Sequence, residues 1–208
     1  MGLKGLEGFR ELCLALSADT PSPGGGAASA AAGAMGSSLL AMVCGLALRK
    51  QDIKSKDELL DILHKLERLR DRLIELSEED AESFEAVMAS TRARRAHDDP
   101  MTRKDFQEAV KHAADVPMTT AQSCLEALEA SGKIAGLALK STSTDLAVGV
   151  LLCDAGLRGA VMNVRVNLKD IDDGEYVKAS KEQLDVQVRR GDSALNSVLL
   201  KVEQRYGK

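Results

Sequence analysis

From Thr20 to Leu48 no side chain carries a charge. A stretch of that length is expected to be buried, either in protein or in lipid. Composition decides between the two. The stretch opens with Pro21-Ser22-Pro23-Gly24-Gly25-Gly26 and continues mainly in Ala, Gly and Ser, whose side chains contribute little transfer energy to a membrane. It is therefore expected as a central helix of a soluble bundle, starting in or just after Gly24–Gly26 and running to about Lys50. Small residues at Ala28, Ala32, Gly36, Ala41 and Gly45 would let another backbone approach closely, from the same chain or from a second subunit.

A second nearly uncharged run, Asp145 to about Leu168, holds only Asp154, Arg158 and Arg165 beyond its start. Elsewhere the apolar spacing is helical, with no clean period-two alternation. Leu3–Leu16 reads as a short amphipathic helix. Lys56 to about Arg95 reads as a long one, with Leu59, Leu66, Leu73, Leu76, Phe84 and Val87 on its buried face. A break is expected over Thr91–Met101, with a capped restart at Pro100 and Thr102. The next helix should reach about Lys140, interrupted or kinked near Pro117. Ser141–Thr144 is a polar break, Asp170–Gly174 a turn, and Glu175 to Arg205 a last charged helix.

There is no Trp, and only three Phe and two Tyr, as suits helices that pack closely rather than a β-sandwich. The reading is an all-α, single-domain helical bundle over residues 1–208, with two buried Gly/Ala-rich helices. Helices so poor in charge bury incompletely in one subunit, so a homodimer is expected, with Gly24–Lys50 or Asp145–Leu168 at or near the interface.

The net charge is −4, and no basic stripe is interleaved with aromatics, so no nucleic-acid partner is expected. Cys13, Cys44, Cys124 and Cys153 are far apart, without CxxC or Cys/His spacing. They are expected as four buried, reduced thiols of a cytoplasmic protein, with no metal site. The N-terminal segment carries Glu7 and Glu11 and lacks a secretory cleavage pattern, so no export signal is expected. Asp170, Asp172 and Asp173 lack the EF-hand spacing and are expected in a solvated turn. His64, His97 and His112 are also expected to be solvated.

Four features carry candidate chemistry. Gly24, Gly25 and Gly26 at a helix entrance would bare the first N–H groups to an anionic ligand, or would simply permit tight packing. Asp80 lies one turn before Phe84 and shares its apolar face. A carboxylate there suits proton transfer, or is salt-bridged at the boundary. Asp145 suits an N-cap or first-turn position. Asn163 and Asn167, spaced i, i+4, project two amides from one face, to read a heterocycle or to tie neighbouring helices together.

Together these segments resemble the family of formimidoyltetrahydrofolate cyclodeaminases and methenyltetrahydrofolate cyclohydrolases. The resemblance rests on DTPSPGGGAASAAAGAMGSSLLAMV (Asp19–Val43), DAESFEAVM (Asp80–Met88), EAVKHAADVP (Glu108–Pro117) and STDLAVGVLLCDAGLRGAVMNVRVNLK (Ser143–Lys169). It implies an all-helical homodimer, a tetrahydrofolate derivative as substrate, and no metal or redox cofactor. It also implies that Asp80 is the acid/base carboxylate; Gly24–Gly26, Asp145, Asn163 and Asn167 are then the candidates to bind the substrate. Two departures stand out. The family's Leu-Pro-Lys-Asn loop is replaced by STRARRAHDDP (Ser90–Pro100), where Arg94 or Arg95 is the nearest cation for the substrate's glutamate carboxylates. Ser141 stands where a Gly-Asn pair is usual. The sequence leaves open cyclohydrolase, cyclodeaminase, and a non-catalytic folate-binding or scaffold relative.

Overall fold

A computed structural model describes residues 6–49 and 55–206. Among these described residues six helices follow one another: α1 (Leu6–Leu16), α2 (Gly25–Leu48), α3 (Lys56–Ala96), α4 (Pro100–Leu137), α5 (Ser143–Asn167) and α6 (Gly174–Tyr206). Short 3₁₀ turns, Lys140–Thr142 and Leu168–Asp170, flank α5. Among the described residues there is no strand, as the periodicity predicts. The start of the expected first helix and Lys50 lie outside the described residues.

Helix α2 packs between α3 and α5, with α4 behind it. The α2/α5 pair is antiparallel: Gly25 faces Asn163, Ser29 faces Gly159, Gly33 faces Gly156 and Gly36 faces Gly149. Glycine sets this approach. A β-carbon on Gly36 would lie 2.7 Å from the Gly149 carbonyl oxygen, closer than van der Waals contact permits. The thiols of Cys124 and Cys153 fill the notches that Gly33 and Gly36 leave. Thus Gly33, Gly36, Gly149 and Gly156 make the close contact. Of the expected ladder, only Gly36 and Ala41 are buried.

Leu40, Leu66, Leu73, Leu125, Leu128, Ile134 and Leu157 are among the fully buried large side chains, each contributing about 1.5–3 kcal/mol of apolar transfer. The amphipathic helix α4 also supplies much of this core. By length and composition, α2 and the Lys140–Asp170 run could cross a membrane, and about half of each is buried within the bundle. Helix α1 buries no residue. Phe9 and Leu12 line a groove of about 570 Å³ with Ala31, Met35 and Ile74.

The helix bounds follow expectation, with one correction at Pro117. Helix α3 runs from Lys56 through Ala96, within one residue of its expected end, and the break falls inside the expected Thr91–Met101 stretch. Ala93 to Ala96 are good helix formers, and Arg94 and Arg95 favour the negative end of the helix dipole. The restart is as predicted: the Asp99 side chain accepts the Met101 and Thr102 N–H groups, Thr102 completes a capping box, and Pro100 follows the cap. Helix α4 is unbroken at Pro117. Proline cannot donate to the carbonyl four residues back, that of Ala113, and the Asn167 amide donates to that carbonyl instead. A tertiary hydrogen bond thus replaces the local one.

Candidate functional site

Asp80 of α3 reaches the first turn of α2. Its Oδ2 accepts the Ala27 N–H at 2.9 Å. One turn earlier, the Ser77 hydroxyl donates to the Ala27 carbonyl at 3.0 Å. Gly24, the N-cap, provides no capping side chain, so α2 takes its capping carboxylate from α3. Gly26 makes room for it, since a β-carbon there would overlap the Asp80 carboxylate. Burial pushes the Asp80 pKa up, and the Ala27 N–H pulls it partly back. Oδ1 accepts no hydrogen bond among the described residues.

This carboxylate lines a cleft of about 350 Å³ with Gly24–Gly26, Phe84, Val87, Asn163, Val166 and Asn167. Six predicted site residues therefore meet in one place. The antiparallel α2/α5 register brings the asparagines to the glycine triplet. Asn163 Nδ2 donates to the Gly159 carbonyl at 2.8 Å, and Asn167 Nδ2 to that of Ala113. Both carbonyl partners fix the amide orientations. Both Oδ1 atoms remain as acceptors for a ligand that carries N–H donors.

Of the two readings of the glycine entrance, the geometry favours close packing over a free anion site. Asp80 already occupies the positive end of the α2 dipole, so a ligand carboxylate would meet a like charge there. Asp145 is not at the cleft. It lies in the first turn of α5, roughly 27 Å from Asn163 at 1.5 Å per residue. Arg95 is exposed and lines neither this cleft nor the cavity beside it. Arg94 does line that neighbouring cavity, of about 540 Å³, with its guanidinium 4.7 Å from the Phe106 ring centre.

Sequence reasoning missed Ser77 and Lys169. Ser77 lies one turn before Asp80 on the same face, a spacing visible in the chain. Lys169 lines the neighbouring cavity and ends the Asn-Val-Arg-Val-Asn-Leu-Lys run. Of the thiols, Cys44, Cys124 and Cys153 are buried as predicted, but Cys13 is exposed on α1. Burial pushes Cys44 and Cys153 up to about 12 and Cys124 well above its ordinary value. The buried thiols therefore stay protonated and unreactive. Asp173 accepts the Tyr176 N–H at 3.1 Å and pairs with Lys111 at 2.8 Å. His64, His97 and His112 are exposed.

The fold and the cleft define an all-helical protein in which one half-buried carboxylate and two amide side chains line a small cleft. A family model described as Formiminotransferase-cyclodeaminase matches residues 8–186. A methenyltetrahydrofolate cyclohydrolase of Methylorubrum extorquens is 35% identical over 173 residues, covering 82% of this chain and 83% of that one. The formimidoyltransferase-cyclodeaminase of Gallus gallus is 26% identical over 88% of this chain, which spans only 34% of that relative's length. The solved formiminotetrahydrofolate cyclodeaminase of Thermotoga maritima superposes with a TM-score of 0.85 at 28% identity, covering 94% of this chain and 95% of that one. The chain belongs to the formiminotransferase-cyclodeaminase family.

Proposed function

We propose that this protein is a folate one-carbon enzyme that hydrolyses 5,10-methenyltetrahydrofolate to 10-formyltetrahydrofolate, with Asp80 as its general acid/base. One observation carries the mechanism: a half-buried carboxylate with a raised pKa is fixed through Oδ2, while Oδ1 is left to the cleft. The choice of reaction follows the Methylorubrum relative, which matches at the highest identity of the three and over most of both chains.

The bridging carbon of the substrate is an electrophilic amidinium. Asp80 takes a proton from a water as its oxygen bonds to that carbon, giving a tetrahedral intermediate. The bond from the carbon to N5 then breaks as Asp80 returns the proton to N5. The formyl group stays on N10, and the positive charge of the substrate leaves as one released proton. A positioned acid/base of this kind is worth roughly 10²–10⁴ in rate. Neither a metal nor a redox cofactor is needed. The Asn163 and Asn167 oxygens suit the N–H donors on the pyrimidine edge of a pterin, and Arg94 suits the glutamate carboxylates.

Cyclodeamination of 5-formiminotetrahydrofolate is the second reading, favoured by the Thermotoga structure. There N10 attacks the formimino carbon and its proton passes to the imino nitrogen; a second proton, taken up from solvent, lets that nitrogen leave as ammonia, and the positive charge stays on the amidinium product. A non-catalytic folate-binding relative is the third. We also propose a homodimer, supported by the exposed Met35 and Met42 on α2 and Val148, Leu151 and Met162 on α5. The half-burial of α2 and α5 supports reading them as core helices rather than membrane spans. Three buried free thiols support a cytoplasmic location.

Spectrophotometric assays of the purified protein with each folate separate these readings. Catalysed loss of methenyl absorbance supports the cyclohydrolase, and its appearance from the formimino compound supports the cyclodeaminase. Binding without either change leaves the non-catalytic relative.

A further inference from the structure

Resting on the folate reading above, we infer that Asp170 is a specificity-determining residue of the Asp80 cleft. Its carboxylate makes the cleft favour a folate that carries positive charge at the bridging carbon over a neutral folate of similar shape.

The residues that line the cleft include two carboxylates, Asp80 and Asp170, and no Lys, Arg or His. Asp80, Asn163, Asn167 and Asp170 each keep a side-chain oxygen without a hydrogen-bond partner among the described residues. A wall of acceptors with two carboxylates and no cation is complementary to positive charge, in a cleft that screens charge less than water does.

Asp170 joins this wall by helical spacing. Asn163, Asn167 and Asp170 stand at i, i+4 and i+7 and so follow one another along one face. The 3₁₀ turn Leu168–Asp170 directly continues α5. Gln107 of α4 fixes that turn: its amide donates to the Asp170 carbonyl at 3.0 Å, and its Oε1 accepts the Asp172 N–H at 2.9 Å. Ile171, between the two bonds, is buried in the core. The backbone that carries Asp170 is therefore held, while its carboxylate makes no ion pair among the described residues. Asp173, by contrast, is paired with Lys111 at 2.8 Å. Lys169 lines the neighbouring cavity and not the cleft.

The charge that this wall can read changes during the reaction. 5,10-Methenyltetrahydrofolate carries one positive charge spread over N5, the bridging carbon and N10, and 10-formyltetrahydrofolate carries none there. The formimino compound carries it on its protonated amidine. Either reaction therefore passes a cation through the cleft, and Asp170 holds the charged folate more tightly than the neutral one.

The test compares wild type and Asp170→Asn on the folate that the protein turns over, with neutral 5-formyltetrahydrofolate as the competing inhibitor. Both folates have the same glutamate tail, so tail contacts cancel in the ratio of KM to inhibition constant. Asp170→Asn should raise KM about two- to fivefold, the range for one partly exposed charge contact, with kcat little changed and inhibition by 5-formyltetrahydrofolate unchanged. Asp170→Glu should recover most of the difference, and added salt should narrow the wild-type preference for the charged folate. Asp170 is exposed, so the melting temperature should hardly move. Equal weakening of both folates in Asp170→Asn, or no change in either, would overturn this inference and leave the catalytic reading standing. A wild type that turns over neither folate would contradict the catalytic reading alone. Titration of 5,10-methenyl- and 5-formyltetrahydrofolate into both proteins then decides the inference by the same ratio, and binding of neither folate would end both.

Discussion

Gly26 and Asp80 occupy the same space: a β-carbon on Gly26 would overlap the Asp80 carboxylate, whose Oδ2 is fixed by the Ala27 N–H at 2.9 Å. Gly26 is thus required by the placement of the carboxylate, not by an unusual backbone.

Gly26→Ala should therefore cost stability and displace Asp80. About 1–3 kcal/mol is the usual range for overpacking, or a melting temperature lower by several degrees in a chain of this size. Turnover should fall with it. Gly25→Ala is the contrast, because its β-carbon would meet nothing closer than the Asn163 amide nitrogen at 3.5 Å. It should fold normally and weaken folate binding by narrowing the cleft. Thermal melts and folate titrations of the two variants check this, and equal melting temperatures would contradict the assignment of Gly26.

The Asn167–Ala113–Pro117 arrangement makes a prediction about coupling. Asn167→Ala removes the donor that serves the Ala113 carbonyl, and an unserved buried acceptor costs about 1–3 kcal/mol. Pro117→Ala restores a local N–H to the same carbonyl. The loss in the double variant should therefore be smaller than the sum of the two single losses. Strict additivity in denaturant melts would show that the two residues do not share this carbonyl.

Much of this was readable before the structure. Asp80 and Phe84, four residues apart on an apolar face, point to one wall of the cleft. The glycine triplet and the Asn163/Asn167 pair point to the other. What the chain could not show was tertiary. Asp80 fills the helix entrance that looked open to a ligand, because α3 passes across the start of α2. Pro117 looked like a break because its replacement donor, Asn167, lies 50 residues further along the chain. Arg94 and Arg95 were indistinguishable until Phe106 from α4 selected one of them. Asp145 could have been set aside on helix length alone, since its end of α5 is far from the asparagines.

The raised pKa of Asp80 gives a pH dependence with a definite sign. The folded state holds this proton to higher pH than the unfolded chain does. The stability it contributes is complete below the ordinary carboxylate range and is lost as pH rises through the raised value. Asp80→Asn has no such loss, so it should gain stability relative to wild type as pH rises through that window. Because the base must be ionised, wild-type turnover should fall on the acid side with an inflection above the ordinary aspartate value. Melts and rates across pH 4–7 check both, and a stability difference that ran the other way would contradict the burial of Asp80.

The apolar outer faces of α2 and α5 predict a dimer. Light scattering at micromolar concentration should give twice the mass of one 22.2 kDa chain. Met42→Glu, on the exposed face of α2, should shift the protein toward monomer without unfolding it. A monomeric wild type would contradict the assembly.

The most direct measurement is the turnover of 5,10-methenyltetrahydrofolate by Asp80→Asn, alongside its melting temperature and its affinity for folate. Asparagine keeps the size of Asp80 and an oxygen for the Ala27 N–H, but it cannot take up and return a proton. The predicted result is a folded variant that binds folate nearly as the wild type does and turns over about 10²-fold or more slowly. A folded Asp80→Asn protein with wild-type turnover would contradict the assignment of Asp80 as the acid/base.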